Sequence, residues 1–332
     1  MIEVLEDDAG RLEIHEQADG KYFLRGIANE NGMHMPTASI VVDYPLSLIR
    51  KIFAGYGSLY TCDEVGRDMQ QTEAAIDVYY SVAAYFPDEY FSRPLRILDY
   101  GCGGGSSTMT LARLFPEAQI IGMDFVPKFL DVARARAEHR GLSRVQFFEV
   151  NSSGTDPLVP QSFDAVFLNA VYEHLMPGER PQVLGNLWHS LKPGGSFFLN
   201  QTPHRWFPIE THTSGLPMVN YLPGRLAMWA IQQFSPRVVK SYSWEELLRA
   251  GVRGATVTEI MGHIKHIDAN AEQLKTIRIA KAWPGIWYAA KRHRIDRVPR
   301  LETAIRFVEG LVNRTGLPLA PYISLAARKN AA

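Results

Sequence analysis

The apolar positions change period along the chain. Residues 96–100 (RILDY), 119–125 (QIIGMDF), 145–150 (VQFFEV), 163–171 (FDAVFLNAV) and 196–201 (SFFLNQ) are short runs of the kind that fill buried strands. Between them the apolar period lengthens to three or four. Ser106 to Leu114 predicts a helix, closed by Pro116. Residues 126–142 predict a second, with Val126, Leu130, Ala133 and Ala137 on one face and Gly141 at its C-terminal cap. Leu184, Leu187, Trp188 and Leu191, after Pro181, predict a third. Strand and helix in alternation imply an α/β fold with a parallel sheet covered on both faces.

The flanks follow other rules. Residues 1–60 hold short mixed runs, 21–28 and 38–46, that predict strands or extended pieces. From Asp63 onward Val65, Met69, Thr72, Ile76, Tyr79 and Ala83 share a helical face, with Pro87 just beyond it. Residues 202–242, rich in Pro, Trp, Tyr and His, break the rhythm. Ser243 with Glu246 is a capping-box signature, and Gly251 is the stop. Residues 255–262 read as a strand, and 321–329 as another after a long helical stretch. The chain therefore divides into an N-terminal extension (1–60), a core (61–262) whose segment 202–242 covers the substrate, a helical basic and aromatic insertion (263–317), and a last strand with its tail (318–332).

Charge narrows the partners. Lys+Arg and Asp+Glu are equal at 35 each over 332 residues, without the basic footprint of a nucleic-acid binder. Two cysteines, Cys62 and Cys102, make no disulfide framework and suit a reducing compartment. The acidic N-terminus lacks a secretory pattern, and no apolar run reaches the roughly 18 residues of a membrane span. A cytoplasmic protein is expected. Residues 263–300 carry nine Lys/Arg against three Asp/Glu, interleaved with Trp283, Trp287 and Tyr288. That mixture suits a solvated amphipathic helix pair, or a peripheral contact with a membrane or a lipid-linked substrate. Residues 221–234 are apolar enough to extend a pocket or a homodimer surface.

The first strand runs into Asp99-x-Gly101-x-Gly103-x-Gly105. A dinucleotide loop would place Gly or Ala where Ser106 stands, and an acid beside a pyrophosphate would repel it. An acid two residues before the first glycine suits a ligand that carries an ammonium.

This loop, the strand ending in Asp124, the stretch SFDAVFLNAVYEHL and LKPGG (191–195) resemble, in order and spacing, the class I S-adenosylmethionine-dependent methyltransferases. The resemblance covers about residues 95–200. It implies a Rossmann-like, mostly parallel sheet of seven strands and S-adenosylmethionine as cofactor. Position by position, it implies that Asp99 holds the methionine ammonium and that Gly101, Gly103 and Gly105 line the cofactor. Asp124 would take the ribose hydroxyls, Phe125 would pack near the adenine, and Asn151 or Ser152 would meet the adenine amino edge. Asn169 and Ala170 would flank the methionine and the donated methyl, and Tyr56 and Tyr60 could face the sulfonium.

A hydroxyl acceptor needs its proton removed. His174, with Glu173 beside it, is the first candidate, and His204, Glu210 and His212 of the stiff 201–217 loop are the others. Glu173 and His174 are also adjacent metal-ligand types, but the sequence shows no third, and no metal site is assigned. The expected function is O-methylation of a small polar or saccharide-like acceptor, free or lipid-linked, in a biosynthetic pathway. C- or N-methylation of an isoprenoid, lipid or amine, and a non-catalytic partner subunit, stand as alternatives.

Overall fold

The computed structural model describes residues 1–29, 38–67, 73–151, 158–238, 241–277, 282–295 and 299–330. The N-terminal extension is a four-stranded antiparallel meander of β1 (Glu3–Asp7), β2 (Gly10–Glu16), β3 (Tyr22–Ala28) and β4 (Ser39–Val42). One face is buried, as the alternation of β2 requires: Leu12 and Ile14 point inward with Leu24 and Val42. They pack on α1 (Leu46–Arg67) through Leu48, Ile49, Ile52 and Val65. The boundary at residue 60 thus falls inside α1, which kinks at Gly57. The Asp7 carboxylate clasps the kink, accepting from the Ser58 N–H and hydroxyl at 2.7 Å each. The predicted helical face continues in α2 (Glu73–Ala83); Met69 and Thr72 lie outside the described residues.

The core follows as β5 (Arg96–Tyr100), α3 (Ser106–Leu114), β6 (Gln119–Asp124), α4 (Pro127–His139), β7 (Val145–Glu149), β8 (Phe163–Asn169), α5 (Arg180–Ser190) and β9 (Leu191–Pro203). After it come α6 (Gly224–Phe234), α7 (Trp244–Arg249), α8 (Val257–Ile267), β10 (Glu272–Gln273), α9 (Trp283–Ile295), α10 (Pro299–Thr315) and β11 (Tyr322–Arg328). The second sheet has seven strands in the order β10-β11-β9-β8-β5-β6-β7. Strands β5 to β9 are parallel, and β11 and β10 join antiparallel. Successive strand residues feed opposite layers. Ile97, Phe167 and Phe198 pack with α2, α3 and α4; Leu98, Val166, Leu168 and Leu199 pack with α5 and α8. This is the seven-stranded, Rossmann-like fold expected from the sequence.

One element is corrected. Residues 255–262 were expected as a strand, yet Val257–Ile267 is helical. Thr256 caps it by accepting from the Glu259 N–H. Ile260, Met261 and Ile264 are buried, at spacings that fit a helix. The sixth strand is instead the two-residue edge β10. The aromatic part of the basic segment faces inward: Ile286 and Tyr288 are buried, and Trp283 packs against three apolar clusters. Among the described residues no helix is long and apolar enough to cross a membrane.

Candidate active site

Strands β6 and β8 flank β5, so the chain leaves the sheet in opposite directions at the carboxyl end of β5. Such a switch point opens a crevice. The glycine loop lines it. The Gly101 and Cys102 N–H groups donate to the Met123 carbonyl, turning the loop back over β6. Gly105 is the N-cap of α3 at φ 83°, and a Cβ there would stand 2.8 Å from that of Ala133. Only glycine holds both that conformation and that approach.

Two buried carboxylates border the loop. Asp99 accepts from the Ser107 and Thr108 hydroxyls at 2.6 Å and from the Asn169 amide at 3.2 Å. Burial raises its pKa, against the lowering by these three bonds. Asn169 in turn accepts from the Asn200 amide at 2.9 Å, tying β9 to β8 and β5. Asp124 accepts from the Gly103 N–H at 2.8 Å and the Val126 N–H at 2.9 Å, one on each oxygen. Phe125 beside it is 54% exposed. Asn151 is exposed, and Ser152 lies outside the described residues.

Of the two candidate tyrosines, Tyr56 reaches the loop. Its hydroxyl accepts from the Gly104 N–H at 2.6 Å, and its ring stacks on Phe129 at 4.4 Å. Tyr60 is 43% exposed. Beneath the loop, Arg136 of α4 is wholly buried and donates to the Glu64 carboxylate of α1 and the Gly104 carbonyl, both at 2.7 Å. The sequence reading missed Glu64, Arg136 and Asn200. An arginine on the apolar face Val132, Ala133, Ala137 was the one visible signal.

Beyond β8 the backbone takes a left-handed residue at Ala170 (φ 53°) and a tight turn over Tyr172–His174. The turn sends Glu173 inward, fully buried, and leaves the His174 side chain 43% exposed. Thr202 donates to Glu173 Oε2 at 3.0 Å; Oε1 is buried without a hydrogen-bond partner. Burial pushes the Glu173 pKa up. His174 Nδ1 lies 2.6 Å from the Arg249 carbonyl, so that nitrogen donates and Nε2 faces the cluster side of the ring. Arg249 is itself held by Glu179.

The 201–217 loop brings His212 to this pair. The His174 and His212 rings are 5.4 Å apart, and one ligand-type atom from each of Glu173, His174 and His212 lies within 4.8 Å of the others. Burial, then the neighbouring His174, drives the His212 pKa down to about 4. Glu210 organises the loop: its carboxylate accepts the N–H groups of His212, Thr213 and Ser214 and the Ser214 hydroxyl. Those four donors fill a carboxylate's acceptor sites. His204 lies elsewhere, its ring edge-on to Trp283 at 5.2 Å, and burial lowers its pKa. The fold thus joins Glu173, His174 and His212, while Glu210 supports them and His204 packs on the insertion.

Residues 97–195, which hold most of this architecture, match the family model described as a methyltransferase domain. Over these residues the chain is similar to methyltransferase domains. Over 138 residues, 42% of this chain and 56% of the relative, the sequence is 32% identical to demethylmenaquinone methyltransferase of Thermus thermophilus. Over 102 residues, 31% of this chain and 36% of the relative, it is 38% identical to trans-aconitate 2-methyltransferase of Methylobacterium nodulans. The chain spans about half or less of the length of these curated relatives. Among solved structures, an S-adenosylmethionine-dependent methyltransferase from Mesorhizobium loti matches with a TM-score of 0.45, at 16% identity over 73% of this chain and 95% of that one. The residues matched by the family model run from β5 to the start of β9. The clasp by α1 and the His212 loop lie outside the matched residues.

Proposed function

We propose that the chain is an S-adenosylmethionine-dependent methyltransferase acting on a hydroxyl of a small polar, saccharide-like acceptor. The donor set fits the cofactor. Asp124 has one N–H on each oxygen, so one further acceptor site remains on each for the ribose diol. Asp99 has spent three acceptor sites and keeps one for the methionine ammonium, directly or through water. Exposed Phe125 offers a face to the adenine.

S-adenosylmethionine, when bound, supplies a methyl carbon whose bond to sulfur breaks as a bond to the acceptor oxygen forms. The protein orients that displacement. Asn169, fixed between Asp99 and Asn200, sets the methionine end. His174 Nε2 takes the hydroxyl proton, and the Glu173 carboxylate, 4.0 Å away, favours the resulting imidazolium. The Glu173–His174 pair just beyond β8, four and five residues past Asn169, is the observation that carries this reading.

A lipid-linked acceptor is favoured by the exposed apolar side chains of α6 and its approach, Tyr221, Leu226, Trp229 and Phe234. Co-sedimentation with phospholipid vesicles tests that refinement.

Calorimetric titration with S-adenosylhomocysteine, and with NADH in parallel, tests the cofactor. Binding of the first ligand alone is expected, weakened at least about tenfold by Asp124→Ala, which removes a charged acceptor of two hydrogen bonds. A wild-type protein that ignores S-adenosylhomocysteine overturns the proposal.

A further inference from the structure

We propose that Glu173, His174 and His212 form a binding site for a divalent first-row transition-metal ion. Two imidazoles and one carboxylate are the donor set of such ions, rather than of calcium or magnesium, which take oxygen ligands. The inference does not depend on the reaction proposed above.

Four observations support it. The three candidate ligand atoms lie within 4.8 Å of one another. Two of the ligands are oriented from behind: the Arg249 carbonyl accepts from His174 Nδ1, and the Thr202 hydroxyl donates to Glu173 Oε2. These are outer contacts of the kind that metal ligands carry. His212 is placed through its backbone N–H, which Glu210 holds. Third, Glu173 Oε1 is buried, has no hydrogen-bond partner, and lies 4.0 Å from His174 Nε2. Most buried side-chain oxygens are paired, and this one is open to a ligand. Fourth, Gly251 leaves the space behind the cluster clear: a Cβ there would meet His212 Cδ2 at 2.8 Å and Glu173 Cγ at 3.1 Å.

An ion bound at about 2.0–2.2 Å in tetrahedral geometry needs ligand atoms roughly 3.4 Å apart. The ligands must therefore draw in by about 1 Å from their widest separation. The half-exposed side of His174 leaves a fourth position open to water or to an acceptor oxygen. With an ion bound, Nε2 of His174 would be a ligand and so would not be free to act as the base proposed above.

The test uses the full chain stripped with a chelator and no cofactor added. Zn²⁺ is titrated by calorimetry and Co²⁺ by visible absorption. One equivalent of Zn²⁺ and Co²⁺ d–d bands, abolished by added Zn²⁺, are expected. His212→Gln and His174→Ala should each weaken binding at least about tenfold. The second change is on a half-exposed side chain and spares the core. His189→Ala, at an exposed histidine of α5, should leave binding unchanged. The proposal is overturned if the wild type shows no saturable binding, or if affinity is unchanged in both His212→Gln and His174→Ala. S-adenosylhomocysteine binding, measured on the same proteins, reports whether they are folded and keeps a failed metal site distinct from a failed cofactor assignment.

Discussion

His212 stands in a loop that no periodicity predicts, yet its side chain lies beside His174. With a folded pKa near 4 against an ordinary 6.5, it is neutral in the native protein well below the pH at which it protonates in the unfolded chain. Its contribution is full above about pH 6.5. As the pH falls toward 4 the unfolded state binds a proton that the native state refuses, and stability drops by on the order of 3 kcal/mol. Glu173 and Asp99, whose pKa values are raised by burial, work in the opposite sense. Comparing wild type with His212→Gln isolates the histidine. In urea titrations of the chelator-stripped proteins from pH 7 to pH 4, wild type should lose more stability than the variant; parallel losses would mean that burial does not hold His212 neutral.

Helices α1 and α4 meet through a pair of charges without solvent access. Arg136 is bonded to the Glu64 carboxylate and carbonyl and to the Gly104 carbonyl. Desolvating two charges is costly, so the pair adds little net stability over an apolar one; removing one partner strands the other. Glu64→Ala should therefore cost about 3 kcal/mol in chemical denaturation. It should also weaken S-adenosylhomocysteine binding, because Arg136 holds the glycine loop from below. A loss below about 1 kcal/mol would mean that water reaches Arg136 once the carboxylate is gone. The same two elements explain why a kinked helix serves here. Asp7 fixes the bend at Ser58, and the bend lets Tyr56 meet Gly104 while Val65 still reaches the small sheet.

At the scale of the molecule, the N-terminal sheet and the seven-stranded sheet are joined through α1, which packs on the first with one face and reaches the glycine loop of the second with another. Cofactor binding should be felt across that join. Hydrogen exchange should slow on addition of S-adenosylhomocysteine not only at 97–105 and 119–126 but also in α1 and in β2 and β3. Protection confined to residues 97–195 would make the meander an appendage with no part in the site.

Sequence and tertiary structure contributed different things. The parallel strands, the glycine loop and the strand-end positions of the acids at 99 and 124 were legible because local spacing dictates them: a buried strand must be apolar, a tight left-handed turn favours glycine, and a strand-end acid stands next to the turn that follows it. The capping box at Ser243 was legible for the same reason, since both its partners lie within one helical turn. Residues 255–262 misled because a window ending at Gly262 cuts the helical pattern short before Ile264 and Ile267. Glu64 under Arg136, Asn200 behind Asn169 and His212 beside Glu173 could not be read at all. Each pair is separated by tens of residues, and nothing along the chain records a contact made only when β9, α1 and the loop after β9 fold back on the sheet. The sequence by itself determined the glycine-loop crevice at the end of β5, whose parts lie at the ends of neighbouring strands. Tertiary structure alone decided what stands at its reactive end, because those side chains are brought together by packing.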